Sequence, residues 1–103
     1  MLKHFDKAFE NRLRLQIMAV LTANESYDFN SLKELLEVTD GNLASHIKAL
    51  EKAEYIGVNK VFIGRKTNTS YFATTTGRIA FEKHLTSLEN LIKQHGNKSQ
   101  SDN

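Results

Sequence analysis

Two short apolar repeats lying almost end to end constrain this chain more than any other feature. Leu32, Leu35 and Leu36 mark one face of a short helix that ends near Val38, and Leu43, Ile47 and Leu50 mark one face of the next. Asn30 or Ser31 can cap the first, with Glu34 in its opening turn, and Thr39-Asp40 supplies the cap of the second. About three residues separate the two segments. So short a connection cannot return one helix alongside the other, so the pair must cross steeply, as in a helix-turn-helix.

The flanking sequence completes a small domain. Phe5, Phe9, Leu13, Ile17, Val20 and Leu21 fall at helical spacing and predict a first amphipathic helix from Phe5 to Leu21, closed by Ala23-Asn24-Glu25-Ser26. Tyr27-Asp28-Phe29 is long enough only for an extended bridge or a one-bond strand. Beyond Ala53 the period changes. Val58–Ile63 and Thr69–Ala73 are rich in β-branched and aromatic residues and enclose the polar loop Gly64-Arg65-Lys66-Thr67-Asn68, which together predict a β-hairpin. Thr74 then caps a last helix with apolar residues at Ile79, Phe81, Leu85, Leu88, Leu91 and Ile92. From Gly96 the residues are polar and aperiodic. The expected organisation is one domain over residues 1–95 and a flexible tail over 96–103.

Composition narrows the chemistry. The 103 residues include no cysteine, which removes disulfides, thiolate nucleophiles and cysteine-bearing metal sites. No apolar run approaches the roughly 18 residues of a membrane span, and the N-terminus lacks a signal-like stretch, so a soluble cytoplasmic protein without a membrane partner is expected. A formal net charge of +2 does not announce a polyanion partner, so any nucleic-acid surface requires positive charge gathered on one face. No glycine-rich phosphate loop or nucleophile turn occurs, and His4, His46, His84 and His95 show no i, i+4 metal spacing. An enzyme is therefore not expected, and neither a cofactor nor a metal is implied. A site built on His84 across two copies is the one metal arrangement left open.

Three stretches carry a resemblance to a known family. Asp28-Phe29-Asn30-Ser31-Leu32-Lys33-Glu34-Leu35-Leu36, then Thr39-Asp40-Gly41-Asn42-Leu43-Ala44-Ser45-His46-Ile47-Lys48-Ala49-Leu50-Glu51, then Thr74-Thr75-Thr76-Gly77-Arg78 resemble the winged-helix DNA-binding regulators of bacteria, relatives of the MarR and ArsR groups. The resemblance spans roughly Arg12 to Ile92. It implies an α+β, mainly helical fold: a winged helix-turn-helix with a C-terminal dimerisation helix. Two positions depart from the pattern. Glu54 stands before Tyr55 where the family usually has a glycine, and Thr75 follows the capping threonine where proline is common.

On a helical wheel of about 100° per residue, Leu43, Ile47 and Leu50 form the buried stripe of the third helix, Asp40 to Ala53. Gly41, Ser45, Lys48 and Lys52 fall opposite, with Asn42, His46 and Ala49 on a flank. Small residues admit a close backbone approach, amides and imidazoles bond base edges, and lysines meet phosphate, which suits a helix in the major groove. A merely solvated amphipathic helix would carry a similar face; the spacing and the resemblance favour DNA. The expected contacts are Asn42, Ser45 and His46 to bases or nearby phosphates, and Lys48 and Lys52 to the backbone. Gly41 permits the approach. His46 has a second reading, in which its flank position packs it against a neighbour. Thr39 caps the helix and leaves amides free for a phosphate. Arg65 and Lys66, with Thr67 and Lys60, can reach the adjacent minor groove or backbone from the hairpin, residues 58–73, although a purely solubilising loop would look alike.

Phe81, Leu85, Leu88 and Ile92 alternate spacings of four and three, the seam of a coiled coil, and Leu91 widens it. Part of this stripe, with Phe5 and Phe9 of the first helix, is expected to meet a second copy; packing of both helices on their own domain is the alternative. The function expected is sequence-specific double-stranded DNA binding by a homodimeric transcriptional regulator, with any small-molecule effector unidentified. The competing class is a winged-helix module that binds protein instead, consistent with Glu34, Glu37, Glu51 and Glu54 around the reading helix.

Overall fold

The N-terminal apolar run does not form one helix. Asp6 accepts a hydrogen bond from the Ala8 amide and opens a 3-10 turn, Lys7–Phe9. Asn11 then accepts from the Arg14 amide and caps α1, Arg12–Ala23. Two consecutive side-chain caps break the periodicity that the apolar spacing alone suggests. The break turns Phe9 into the core. The computed structural model describes the backbone of residues 4–101 and the side chains of residues 4–94.

The crossing pair follows. β1, Tyr27–Asp28, leads directly into α2, Phe29–Leu36, and α3 spans Asp40–Lys52. The cap of α2 is Asp28, not Asn30 or Ser31: its carboxylate accepts the Ser31 amide at 3.1 Å and the Ser31 hydroxyl at 2.6 Å. The helix therefore starts earlier than the apolar spacing indicates. Thr39 caps α3 as expected, through the Asn42 amide at 3.2 Å. Glu37, in the left-handed region at φ 53°, ends α2, and the Val38 amide closes onto the Lys33 carbonyl. Lys33 Nζ meets Asp40 Oδ1 at 2.8 Å across the turn, an exposed pair worth under about 1 kcal/mol.

The end of α3 accounts for the missing family glycine. The Tyr55 amide donates to the Leu50 carbonyl and the Glu54 amide to the Glu51 carbonyl, a Schellman closure. Glu54 takes the left-handed position at φ 65°. The left-handed position that glycine favours is kept, on a residue that adopts it at some strain.

β2, Ile56–Ile63, and β3, Lys66–Ala73, pair antiparallel from Ile56↔Ala73 to Ile63↔Lys66, and β1 adds Tyr27↔Tyr71 and Asp28↔Ser70, giving the order β1-β3-β2. The five-residue loop expected at 64–68 is a two-residue turn, with Lys66, Thr67 and Asn68 already in β3. Gly64 at φ 64° occupies its first central position, and the tight turn lets the hairpin pair to its tip.

α4 runs Thr75–Ser101. Thr74 ties its start to the end of α3: the Thr74 amide donates to the Tyr55 carbonyl at 3.0 Å, the Thr74 hydroxyl donates to the Glu54 carbonyl at 2.7 Å, and the same hydroxyl accepts the Gly77 amide at 2.9 Å. Arg78 reaches back to the α1 carbonyls of Thr22, at 3.1 Å, and Leu21. The Thr-x-x-Gly-Arg motif is thus a structural joint. Residues 96–101, expected from sequence to form a tail, continue the helical backbone of α4; residues 102 and 103 lie outside the described ones.

The core lies between α1, α2, α3 and the root of the sheet, with Ile17, Met18, Leu21, Leu32, Leu43 and Leu50 fully buried. Phe9 and Phe81 belong to it, edge to face at 5.6 Å, with 2% and 6% of their surface exposed. This corrects their assignment to a dimer interface: their rings fill the space between the N-terminal turn, Tyr55 and α4. Phe5 is half-buried against the ring of His84. His84 is itself buried, its Nδ1 accepting the Asp6 amide at 3.1 Å, while the Tyr55 hydroxyl donates to the Asp6 carboxylate.

Candidate nucleic-acid interface

α3 buries Leu43, Ile47 and Leu50 and turns Gly41, Asn42, Ala44, Ser45, Lys48, Ala49 and Lys52 outward. The buried stripe and the outward face of the wheel are thereby reproduced. A hollow runs beside this face between α3 and the sheet, bordered by Gly41, Ser45 and Lys48 on one side and Phe29 and Tyr71 on the other. Burial, with the negative charge of Glu51 nearby, pushes the Tyr71 phenol above its ordinary range.

His46 sits differently. It is half-buried, with Nδ1 3.3 Å from a guanidinium nitrogen of Arg14, whose Nε donates to the Ala8 carbonyl at 2.7 Å. Its flank position leans towards α1, the second of the two readings given by the wheel. Arg14 was not singled out by sequence; its pairing with His46 follows from the packing of α3 on α1, which no local spacing reports. Thr39 is exposed, but its hydroxyl oxygen is engaged by the cap. Asp40, paired with Lys33, carries less uncompensated charge at the helix N-terminus than the sequence alone suggests.

The hairpin stands away from the body. β1 pairs only as far as Ser70, so from Lys60 to Thr69 the ribbon has two strands. Lys60 lies opposite Thr69, Thr67 opposite Phe62 and Lys66 opposite Ile63, with Arg65 in the turn. All are exposed except Thr69, which is half-buried. Between Ile56 and Ala73 the sequence has three cations, Lys60, Arg65 and Lys66, and no carboxylate. The modest overall charge hides a segregated one. Sequence reasoning missed the exposure of Val61, Phe62 and Ile63, at 51%, 78% and 66%; the signal was three apolar residues in a row, which a strand cannot turn to one face.

The distal part of α4 leaves Leu85 and Ile92 exposed, at 43% and 70%, with Leu88 and Leu91 half-buried. No helix among the described residues is long and apolar enough to cross a membrane.

Comparison with known proteins agrees with this geometry. A family model described as a winged helix DNA-binding domain matches residues 13–92. An uncharacterized protein of Methanocaldococcus jannaschii is 37% identical over 87 residues, covering 84% of this chain and 95% of the relative. The solved structure of a transcriptional regulator homologue from Pyrococcus horikoshii OT3 superposes with a TM-score of 0.79 at 31% identity, over 84% of this chain and 86% of that one. A zinc-responsive MarR family member from Lactococcus lactis gives a TM-score of 0.62 at 14% identity, over 88% of this chain and 62% of that one. At that identity the likeness speaks to the fold alone.

Proposed function

Because the chain belongs to the winged helix DNA-binding domain family, we propose that it regulates transcription by reading double-stranded DNA as a dimer. In this reading α3 enters the major groove and the hairpin lies on the adjacent backbone or minor groove. The observation that carries it is the division of labour between two exposed surfaces. α3 offers small and amide side chains at Gly41, Asn42, Ala44 and Ser45, with Lys48 and Lys52 behind them. The hairpin offers cations without carboxylates. The first suits base edges, the second phosphates.

Within α3, Asn42 and Ser45 are the base-reading candidates. Thr39 would help through the amides of the helix N-terminus rather than its engaged hydroxyl. His46 would act from the flank, where the Arg14 guanidinium lies beside it. Lys60, Arg65, Lys66 and Thr67 would hold the backbone. The dimer would be built on the distal stripe of α4, Leu85, Leu88, Leu91 and Ile92, which its own domain leaves largely uncovered. Phe5 would contribute from the edge.

Salt dependence tests the reading. A dimer making about six to ten phosphate contacts should lose roughly 10³–10⁵ in affinity for duplex DNA between 50 and 200 mM salt. Selection of sites from random duplex should return sequences with two-fold symmetry, half-sites about one helical turn apart. Absence of duplex binding at low salt would instead favour a protein-binding module, for which Glu34, Glu37, Glu51 and Glu54 supply an acidic surround.

A further inference from the structure

The free end of the hairpin has a composition that the grip on phosphates does not need. Phe62 is 78% exposed, Ile63 66% and Val61 51%. Their cross-strand partners are Thr67, Lys66 and Asn68, so no apolar pair forms across the ribbon to bury them. They also lie on β2, an edge strand of the sheet, where exposed apolar residues invite unwanted pairing. A solvated hairpin would carry polar residues here. Apolar side chains exposed at the tip of an arm have a partner surface to meet.

Charge identifies that partner. The three residues sit among Lys60, Arg65 and Lys66, with no carboxylate anywhere from Tyr55 to Phe81. A polyanion with an apolar interior satisfies both features, and stacked bases between two phosphate strands are such a surface. Arms that carry an apolar wedge beside cations can part a base step in the minor groove and kink the duplex.

We propose that the hairpin is a wedge as well as a cationic arm: Phe62 presses between base pairs from the minor groove and bends the DNA, with Lys60, Arg65 and Lys66 on the flanking phosphates. The proposal rests on the DNA-binding reading above. By strand alternation Phe62 shares one face of the ribbon with Lys60, and Val61 and Ile63 take the other, so a single ring enters the stack with a cation beside it. Flexible pyrimidine–purine steps are the expected point of entry.

The test uses the full chain and duplexes recovered by selection from random sequence, labelled at both ends with a donor–acceptor pair. Wild-type protein should raise energy transfer between the ends. Phe62→Ala, at a position too exposed to disturb folding, should abolish that rise at saturating protein while keeping affinity within about ten-fold of wild type. Arg65→Ala with Lys66→Ala should lower affinity and salt dependence yet still bend the DNA once saturated. If Phe62→Ala bends DNA as wild type does, the wedge is refuted and DNA binding stands. If wild type binds no duplex, the underlying reading fails and takes the wedge with it. If Phe62→Ala leaves bending intact but abolishes cosedimentation with anionic phosphatidylserine vesicles, the tip belongs to a lipid surface and the wedge is overturned.

Discussion

Replacing Gly77 by alanine pits a local preference against a tertiary contact, and the structure says which wins. In a solvated helix the exchange stabilises by about 0.8–1 kcal/mol. Here a Cβ at Gly77 would fall onto the Tyr55 carbonyl, lying 2.8 Å from its carbon and 2.9 Å from the Tyr55 Cα, and nothing flexible stands between. The start of α4 would have to retreat by roughly 1 Å to restore van der Waals separation. That retreat breaks the bond from the Thr74 amide to the Tyr55 carbonyl, at 3.0 Å, and from the Thr74 hydroxyl to the Glu54 carbonyl, at 2.7 Å. Each lost bond is worth about 1 kcal/mol, more where a group is left unsatisfied. Loosened packing at Phe81 adds to this. With the helical preference deducted, a net loss of about 2–3 kcal/mol remains, or a fall in Tm of about 10–20 °C for a domain of this size. Thermal unfolding followed by circular dichroism at fixed protein concentration measures it, with Gly41→Ala as control. A Cβ at Gly41 meets nothing within 4 Å, so that variant should gain up to about 1 kcal/mol. A Gly77→Ala protein as stable as wild type would refute the close approach of α4 to Tyr55.

Other perturbations probe the cap, the phenol and the interface. Glu54→Gly should raise stability by a few tenths to about 1 kcal/mol in urea unfolding, because glycine adopts the left-handed region at φ 65° without the penalty that glutamate bears. Tyr55 is pushed from 10.0 to about 12, first by its hydrogen bond to Asp6, then by burial and by the Asp6 charge. Its neutral form is thus favoured in the fold: the contribution is complete below pH 10 and is lost as pH rises through about 12. The stability difference between wild type and Tyr55→Phe should therefore shrink across that window, and a constant difference would show that the bond to Asp6 contributes nothing. Arg65→Ala with Lys66→Ala should weaken DNA binding alike on all sequences and lower the salt slope by about two, whereas Asn42→Ala should shift sequence preference. A hairpin variant that altered preference alone would reverse those roles.

Apolar periodicity and turn chemistry made the elements legible wherever a single face was buried. Leu43, Ile47 and Leu50 placed α3, and Thr39 and Thr74 placed their caps, because a threonine hydroxyl aimed at an amide three residues on is a local event. Where two local signals competed, the longer-range one lost. The spacing from Phe5 to Leu21 is helical, but Asp6 and Asn11 each bond a nearby amide and divide the run. The apolar spacing of the last helix is legible as a stripe, yet sequence does not tell whether Phe81 meets Phe9 of its own chain or a second copy. That depends on where the N-terminal turn lies, a tertiary fact. Likewise His46 was readable as a flank residue, but its lean towards Arg14 follows from the packing of α3 on α1. The hairpin cations were visible as residues; their isolation from carboxylates becomes meaningful only once the ribbon is seen to stand free of the third strand.

Tyr55 connects more of the molecule than any residue aimed at a ligand. Its amide closes α3, its carbonyl receives the start of α4, and its hydroxyl holds Asp6, whose own amide reaches His84 one turn beyond Phe81. The attitude of α3 towards α4 is therefore pinned at two adjacent backbone positions, Glu54 and Tyr55. If two copies join along α4, the distance between their reading helices is an arm length measured from that pin. A small rotation there would swing both helices out of phase with the groove, although no side chain facing DNA had changed.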